Sequence, residues 1–174
     1  MYPKEYIEFL YHFHCDRDYF ECHEILEHLW KLDPKDERKP GWVGLIQVAV
    51  SFYHYRRGNF RGAYRMMKNA ISIIRKEKQF IETIGLDSGK LLNILEHSFE
   101  GIQQKKPYKS IQLPISDPAL LEICFNTAKE RKKTWGEKSD LSNQYLIHKH
   151  KKRDRSSIIL ERKASLKEKE KRRR

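Results

Sequence analysis

Apolar residues recur every three or four positions from Tyr6 to Trp135, a spacing that predicts helices almost throughout. Pro3-Lys4-Glu5 opens a first helix to about His14, with Tyr6, Ile7, Phe9, Leu10 and Phe13 on its inner side. Cys15 to Asp18 breaks the pattern. A second helix runs from Tyr19 to about Leu32, where Asp33-Pro34 stops it. A third, Trp42 to Arg57, is apolar nearly all round and is expected at the centre of the core. Gly58-Asn59 ends it. A fourth covers Phe60 to about Ile84, with Ala63, Met66, Met67, Ala70, Ile74 and Phe80 turned inward, and Gly85 closes it. Asp87 caps a fifth that carries Leu91, Leu92, Leu95, Phe99 and Ile102. Pro107 to Pro114 alternates Tyr108, Ile111 and Leu113 and is expected to lie extended across the bundle. Asp117-Pro118 starts a sixth helix, reaching about Trp135.

The predicted class is therefore all-α: a compact bundle built from helical hairpins. Residues 1–106 form the bundle, 107–136 add an extended segment and one more helix, and 137–174 form a basic, flexible tail. A weak internal repeat supports the hairpins. Asp18-Tyr19-x-x-Cys22 lines up with Asn59-Phe60-x-x-Ala63 at a shift of 41 residues. The second copy is similar to the inter-helix turn of a tetratricopeptide hairpin, but two copies at that spacing make related hairpins and no repeat array.

Two helices break the apolar pattern with polar residues. At about 100° per residue, His23 and Glu27 fall among Tyr19, Phe20, Leu26 and Trp30, with Glu24 on the flank. On the third helix Gln47, Ser51 and His54 form a second polar stripe. If the stripes face each other, His23, Glu24, Glu27, Gln47 and His54 make one polar cluster inside the core. Such a cluster either satisfies itself by hydrogen bonds and sets helix register or works as a metal or acid–base site. In the second case His23, Glu27 and His54 are the metal ligands with Glu24 as a further candidate ligand, a divalent ion suited to imidazole and carboxylate is the cofactor, and Gln47 orients a water or substrate. A carboxylate-bridged di-iron centre would need four inward carboxylates, which are not there. No nucleophile triad, phosphate loop or dinucleotide fingerprint occurs, and no catalytic residue is assigned.

The run Phe20-x-x-His23-Glu24-x-x-Glu27-x-x-Trp30, with Gly44-Leu45-Ile46-Gln47-x-Ala49 and His54-x-x-x-Gly58-Asn59-x-x-Gly62-Ala63, resembles an all-helical prokaryotic family of unknown function, the one numbered three hundred and nine. The resemblance spans roughly Tyr6 to Ala70. It implies a compact helical bundle and no particular activity.

Charge changes the picture at one end only. Of a formal net charge of +12, +9 falls on residues 148–174, where 13 Lys and Arg face 4 Asp and Glu, and +3 on the rest. A near-neutral body with a basic appendage implies non-specific, salt-sensitive attraction to nucleic acid through the tail, with Lys149 to Arg155 and Lys171 to Arg174 as its clusters. Three cysteines without a CxxC pair are consistent with reduced thiols in a cytoplasmic protein. The longest apolar run, Trp42 to Tyr55, is too short and polar to span a bilayer. Tyr53 and Tyr55 are expected in the core, Arg56 and Arg57 in solvent, and Trp30 and Trp42 on either side of the loop they flank. The leading expectation for function is a non-enzymatic module that binds another protein. A small metal-dependent or acid–base enzyme is the alternative.

Overall fold

The computed structural model of the chain describes residues 1–152 together with 160, 163 and 164. Helix α1 (Lys4–Tyr11) runs into a single wide π-helical turn (His12–Asp16), followed by α2 (Tyr19–Leu32), α3 (Pro40–Arg56) and α4 (Phe60–Lys76). Then come α5 (Lys78–Thr83), α6 (Ser88–Gln103), α7 (Pro118–Glu130), α8 (Gln144–Ile147) and α9 (Lys149–Lys152). Among the described residues the only β feature is an isolated bridge between Leu86 and Ile115. No helix there is long and apolar enough to cross a membrane.

Helix starts follow their caps. Asp18 accepts the Glu21 N–H, Asn59 that of Gly62, Asp87 that of Lys90 and Asp117 that of Ala119, so each acidic or amide side chain satisfies an amide the helix itself leaves open. The central α3 is buried on most sides and packs against α2 and α4. Helix α4 also packs on α6, and α1 on α2 and α7. The core is aromatic at one end: Phe9, Phe13, Tyr19 and Phe52 are fully buried and lie ring to ring. Cys15, Cys22 and Cys124 are buried free thiols.

The structure departs from these expectations at five places, each for a packing reason. The fourth predicted helix breaks at Glu77, and the separate α5 turns Phe80 edge-on to Trp42. Gly41 makes the room, since a Cβ there would meet the Phe80 ring at 2.0 Å. The last predicted helix stops at Glu130. The chain then reverses through Lys132 at φ 55°, and Trp135 stacks on His14 with ring centroids 4.2 Å apart. Trp42 lies in the core against Tyr6, so only Trp30 holds the loop after α2, beneath the Arg38 guanidinium. Arg56, expected in solvent, is 7% exposed.

The fifth change concerns the tail. Residues 137–152 are packed on the body, contrary to the expected flexible tail from 137 onward. Arg17 donates to the Glu137 carbonyl, Arg56 to Ser139, and Lys149 to Asp18 and Glu21, while Ile147 is buried. Few apolar residues are needed there because the body supplies polar partners. The basic cluster at Lys171 to Arg174, and that at Lys149 to Arg155 beyond Lys152, lie outside the described residues.

Candidate functional site

Helix α2 has a buried face and a half-exposed flank. Tyr19, Cys22 and Leu26 point into the core. Cys22 and Leu26 lie about 100° and 60° round the helix from His23, so the centre of the buried face passes His23 by. The His23, Glu24 and Glu27 side chains are 28%, 41% and 35% exposed. The expectation of a cluster inside the core is therefore corrected: these groups sit on the half-exposed rim of α2, where charge stays hydrated.

At that rim His23 holds both carboxylates. Its Nδ1 is 3.2 Å from Glu24 Oε1 and its Nε2 is 3.4 Å from Glu27 Oε2, while the other Glu27 oxygen takes the Lys31 ammonium at 2.6 Å. One ligand atom from each of His23, Glu24 and Glu27 falls within 4.8 Å of the others, so one helix face offers an imidazole and two carboxylates to a single cation. That donor set suits zinc, manganese or ferrous iron. His54 falls outside the group, so the expected ligand trio of His23, Glu27 and His54 is not brought together.

The stripe on α3 is used differently. Ser51 is buried and donates to the Ala63 carbonyl at 2.8 Å, tying α3 to α4. The Asn59 amide donates to His54 Nδ1 at 3.0 Å, a bond the neutral ring accepts. Burial lowers the His54 pKa, and the charges of Arg57 and Arg65 lower it further. The Oε1 of Gln47 is buried without a hydrogen-bond partner. Among the described residues no hydrogen bond joins His23 or Glu27 to Gln47 or His54.

His23 and His54 do meet across a small cavity. About 190 Å³ in volume, it lies between α2 and α3 with Phe20, Val50 and Tyr53 in its wall, and His150 of α9 closes one side. His150 bonds to the Tyr53 hydroxyl through Nδ1, and Arg57 approaches its Nε2 at 2.9 Å. The sequence reading missed His150 because it stands in a segment taken for a loose tail. A neutral residue run ending at Ile147 within a basic stretch was the one signal available.

The described surface thus places the family-like residues Phe20, His23, Glu24, Glu27 and Trp30 on one accessible flank beside a cavity. Comparison with known proteins supports that resemblance. Residues 6–66 match the profile of the family described as a domain of unknown function, DUF309. The chain is similar to the uncharacterized protein YpuF of Bacillus subtilis (strain 168), 50% identical over 171 residues that cover 98% of each chain. It is also similar to an uncharacterized protein of Aquifex aeolicus (strain VF5), 33% identical over 54 residues, 31% of this chain and 16% of that one. No solved structure matches it. With the profile matching the very helices that carry the flank and cavity, and a relative matching end to end, the chain belongs to the DUF309 family.

Proposed function

We propose that the protein is a non-catalytic binding module whose working surface is the α2 flank and the α2–α3 cavity. One observation carries this reading: of the residues of the family-like motif that the core does not need, His23 lines an apolar-walled cavity, and its ring carries the half-exposed carboxylates of Glu24 and Glu27 beside it. A cavity of about 190 Å³ takes one amino-acid side chain and little more. The neighbouring carboxylates of Glu24 and Glu27 favour a basic group beside it. The partner is then a protein segment that presents an apolar anchor next to Lys or Arg.

Photo-crosslinking tests this. A crosslinking residue at the exposed Lys31, which pairs with Glu27 on that flank, is expected to trap a discrete partner, and one at Lys129 on α7 is not. Phe20→Ala with Glu27→Ala should abolish the adduct while the circular dichroism stays helical. The same adducts from both positions, or none from Lys31, would remove the proposal.

A second reading is favoured by the ligand spacing: a divalent cation held by His23, Glu24 and Glu27. Zinc and manganese titrations of the full chain by calorimetry test it, with His23→Ala as the control. Micromolar, stoichiometric heat lost in the variant supports a metal site. No saturable heat excludes it.

A further inference from the structure

Two arginines are buried beneath the segment that follows Gly136. Arg17 is 1% exposed and Arg56 is 7% exposed. Neither forms an ion pair with a carboxylate among the described residues. Of the two acids that flank Arg17, Asp18 spends one oxygen on the α2 cap and the other on Lys149, and Asp16 holds the His12 ring and the Asp18 N–H. Backbone carbonyls take part of the load. Arg17 donates to Phe13, Ile111 and Glu137, and Arg56 Nη1 donates to the Arg17 carbonyl at 2.6 Å. Arg17 Nη2 and Arg56 Nε remain without a partner. Carbonyl dipoles, and for Arg56 the face of the Tyr19 ring 4.7 Å away, offset part of the cost but supply no counter-charge in a region of low dielectric.

Next to the arginines lies a network of hydroxyls. Tyr108 Oη contacts Tyr19 Oη at 2.5 Å, Ser139 Oγ at 2.8 Å and Ser110 Oγ at 3.1 Å. The groups that reach this network from outside are donors: Arg56 Nη1 to Ser139 Oγ at 3.2 Å, and the Ser139 amide to Ser110 Oγ at 3.1 Å. No carbonyl or carboxylate accepts from it among the described residues. Tyr19 cannot serve as the missing anion, because burial, reinforced by Tyr108, holds its phenol far above the ordinary value and therefore neutral.

The network opens on solvent through a pocket of about 410 Å³. Tyr108, Ser110 and Ser139 form its wall, and the exposed Lys109 and Lys138 stand at its mouth. Cations at the rim, hydroxyls on the wall and unpaired guanidiniums behind make a site complementary in every layer to an anion with several acceptor oxygens.

We propose that this pocket binds a phosphoryl group, with Lys109, Lys138, Ser110, Ser139 and Tyr108 as its contacts and the Arg56 and Arg17 charges as its electrostatic backing. The site is separate from the α2–α3 cavity and does not depend on the role proposed for that surface. Only Tyr19 touches both, through its ring on one side and its hydroxyl on the other.

Calorimetry and thermal unfolding of the full chain with inorganic phosphate, ribose 5-phosphate and AMP test this, each against chloride at matched ionic strength. Saturable binding by at least one is expected. Binding by inorganic phosphate as tight as by the other two identifies a free oxyanion as ligand, and tighter binding of the esters identifies a phosphorylated metabolite. Lys109→Ala with Lys138→Ala leaves the core untouched and should weaken binding by roughly tenfold or more. Arg56→Lys, which keeps the charge, should retain binding that Arg56→Gln loses. If all three probes act no differently from chloride, or if the lysine double variant binds as the parent does, the proposal fails.

Discussion

The joint between α1 and α2 and the joint between α3 and α4 have the same local shape by different means. Each has one left-handed residue, then an Asx cap, then an aromatic, then a small buried residue: Arg17, Asp18, Tyr19 and Cys22 in the first, Gly58, Asn59, Phe60 and Ala63 in the second. Gly58, at φ 74°, adopts its conformation without a Cβ to oppose it. Arg17, at φ 56°, pays a steric cost of about 1 kcal/mol and is held there by carbonyls from three segments distant in sequence or on the preceding turn. The second joint is therefore locally encoded. The first is stable only once the extended 107–115 segment and residue 137 have closed over it.

The largest effect that would break this comparison is a reciprocal swap. Arg17→Gly relieves the backbone but removes three hydrogen bonds from the interior, and should cost about 3 kcal/mol in urea unfolding. Gly58→Arg should cost only about 1 kcal/mol, since nothing lies within 4 Å of a Cβ there. No cost, or a gain in stability, for Arg17→Gly would show that the Arg17 side chain contributes nothing.

Acidification should separate the joints next. His14 is buried, and its neutral ring is fully used: Nδ1 donates to the Leu10 carbonyl and Nε2 accepts the Leu113 N–H. Burial, aided by the Arg17 charge, pushes its pKa down to about 3. The unfolded chain takes up a proton near the ordinary histidine value while the folded chain does not. This stability is thus complete above about pH 6.5 and is lost as the pH falls toward 3, by up to about 2 kcal/mol between pH 7 and 5. His12 in the same joint acts in the opposite sense. Burial opposes its charge, but Asp16 together with Asp18 and Glu21 outweighs burial and raises its pKa, which favours folding at low pH. Comparing His14→Gln with the parent across that window isolates the first term. The half-buried His54 at the second joint, lowered in the same direction, should show a smaller slope in His54→Gln.

The caps give a finer measure. Asn59→Ala removes one cap and should cost about 1 kcal/mol. Asp18→Ala removes a cap and the anchor of Lys149 together, and should cost about 0.5 kcal/mol more, with faster hydrogen exchange over residues 144–152. An unchanged exchange rate there would mean that Glu21, Tyr53 and Arg57 hold α9 without Asp18. The smallest effect is expected from Lys31→Ala, whose ion pair with Glu27 is largely exposed. It should shift stability by no more than about 0.5 kcal/mol.

Much of this molecule was readable from its residues. The second helix starts at Tyr19 and ends at Leu32 as its cap and its Asp33-Pro34 stop imply, and the extended segment after Pro107 lies where its alternation puts it. The candidate site was readable only in part. His23 and His54 share a cavity, yet the helical wheel placed His23 and Glu27 in the core and the structure places them at its edge. The wheel gives a direction about one axis. It carries no information on how far round that axis the neighbouring helix reaches. Arg17 and Arg56 escaped notice for a related reason: an arginine on a helix end is solvated by default, and only segments from elsewhere in the chain can bury it.

The sequence by itself determined the all-helical class, the course of the second and third helices, most helix starts and the family, because these rest on spacing and on contacts between residues a few positions apart. The tertiary structure decided which polar residues are buried, which carboxylates remain in water, and that residues 137–152 belong to the body. Those outcomes depend on groups brought together across 90 to 131 positions of chain, as between Arg17 and Ile111 or Asp18 and Lys149, and no local pattern encodes them.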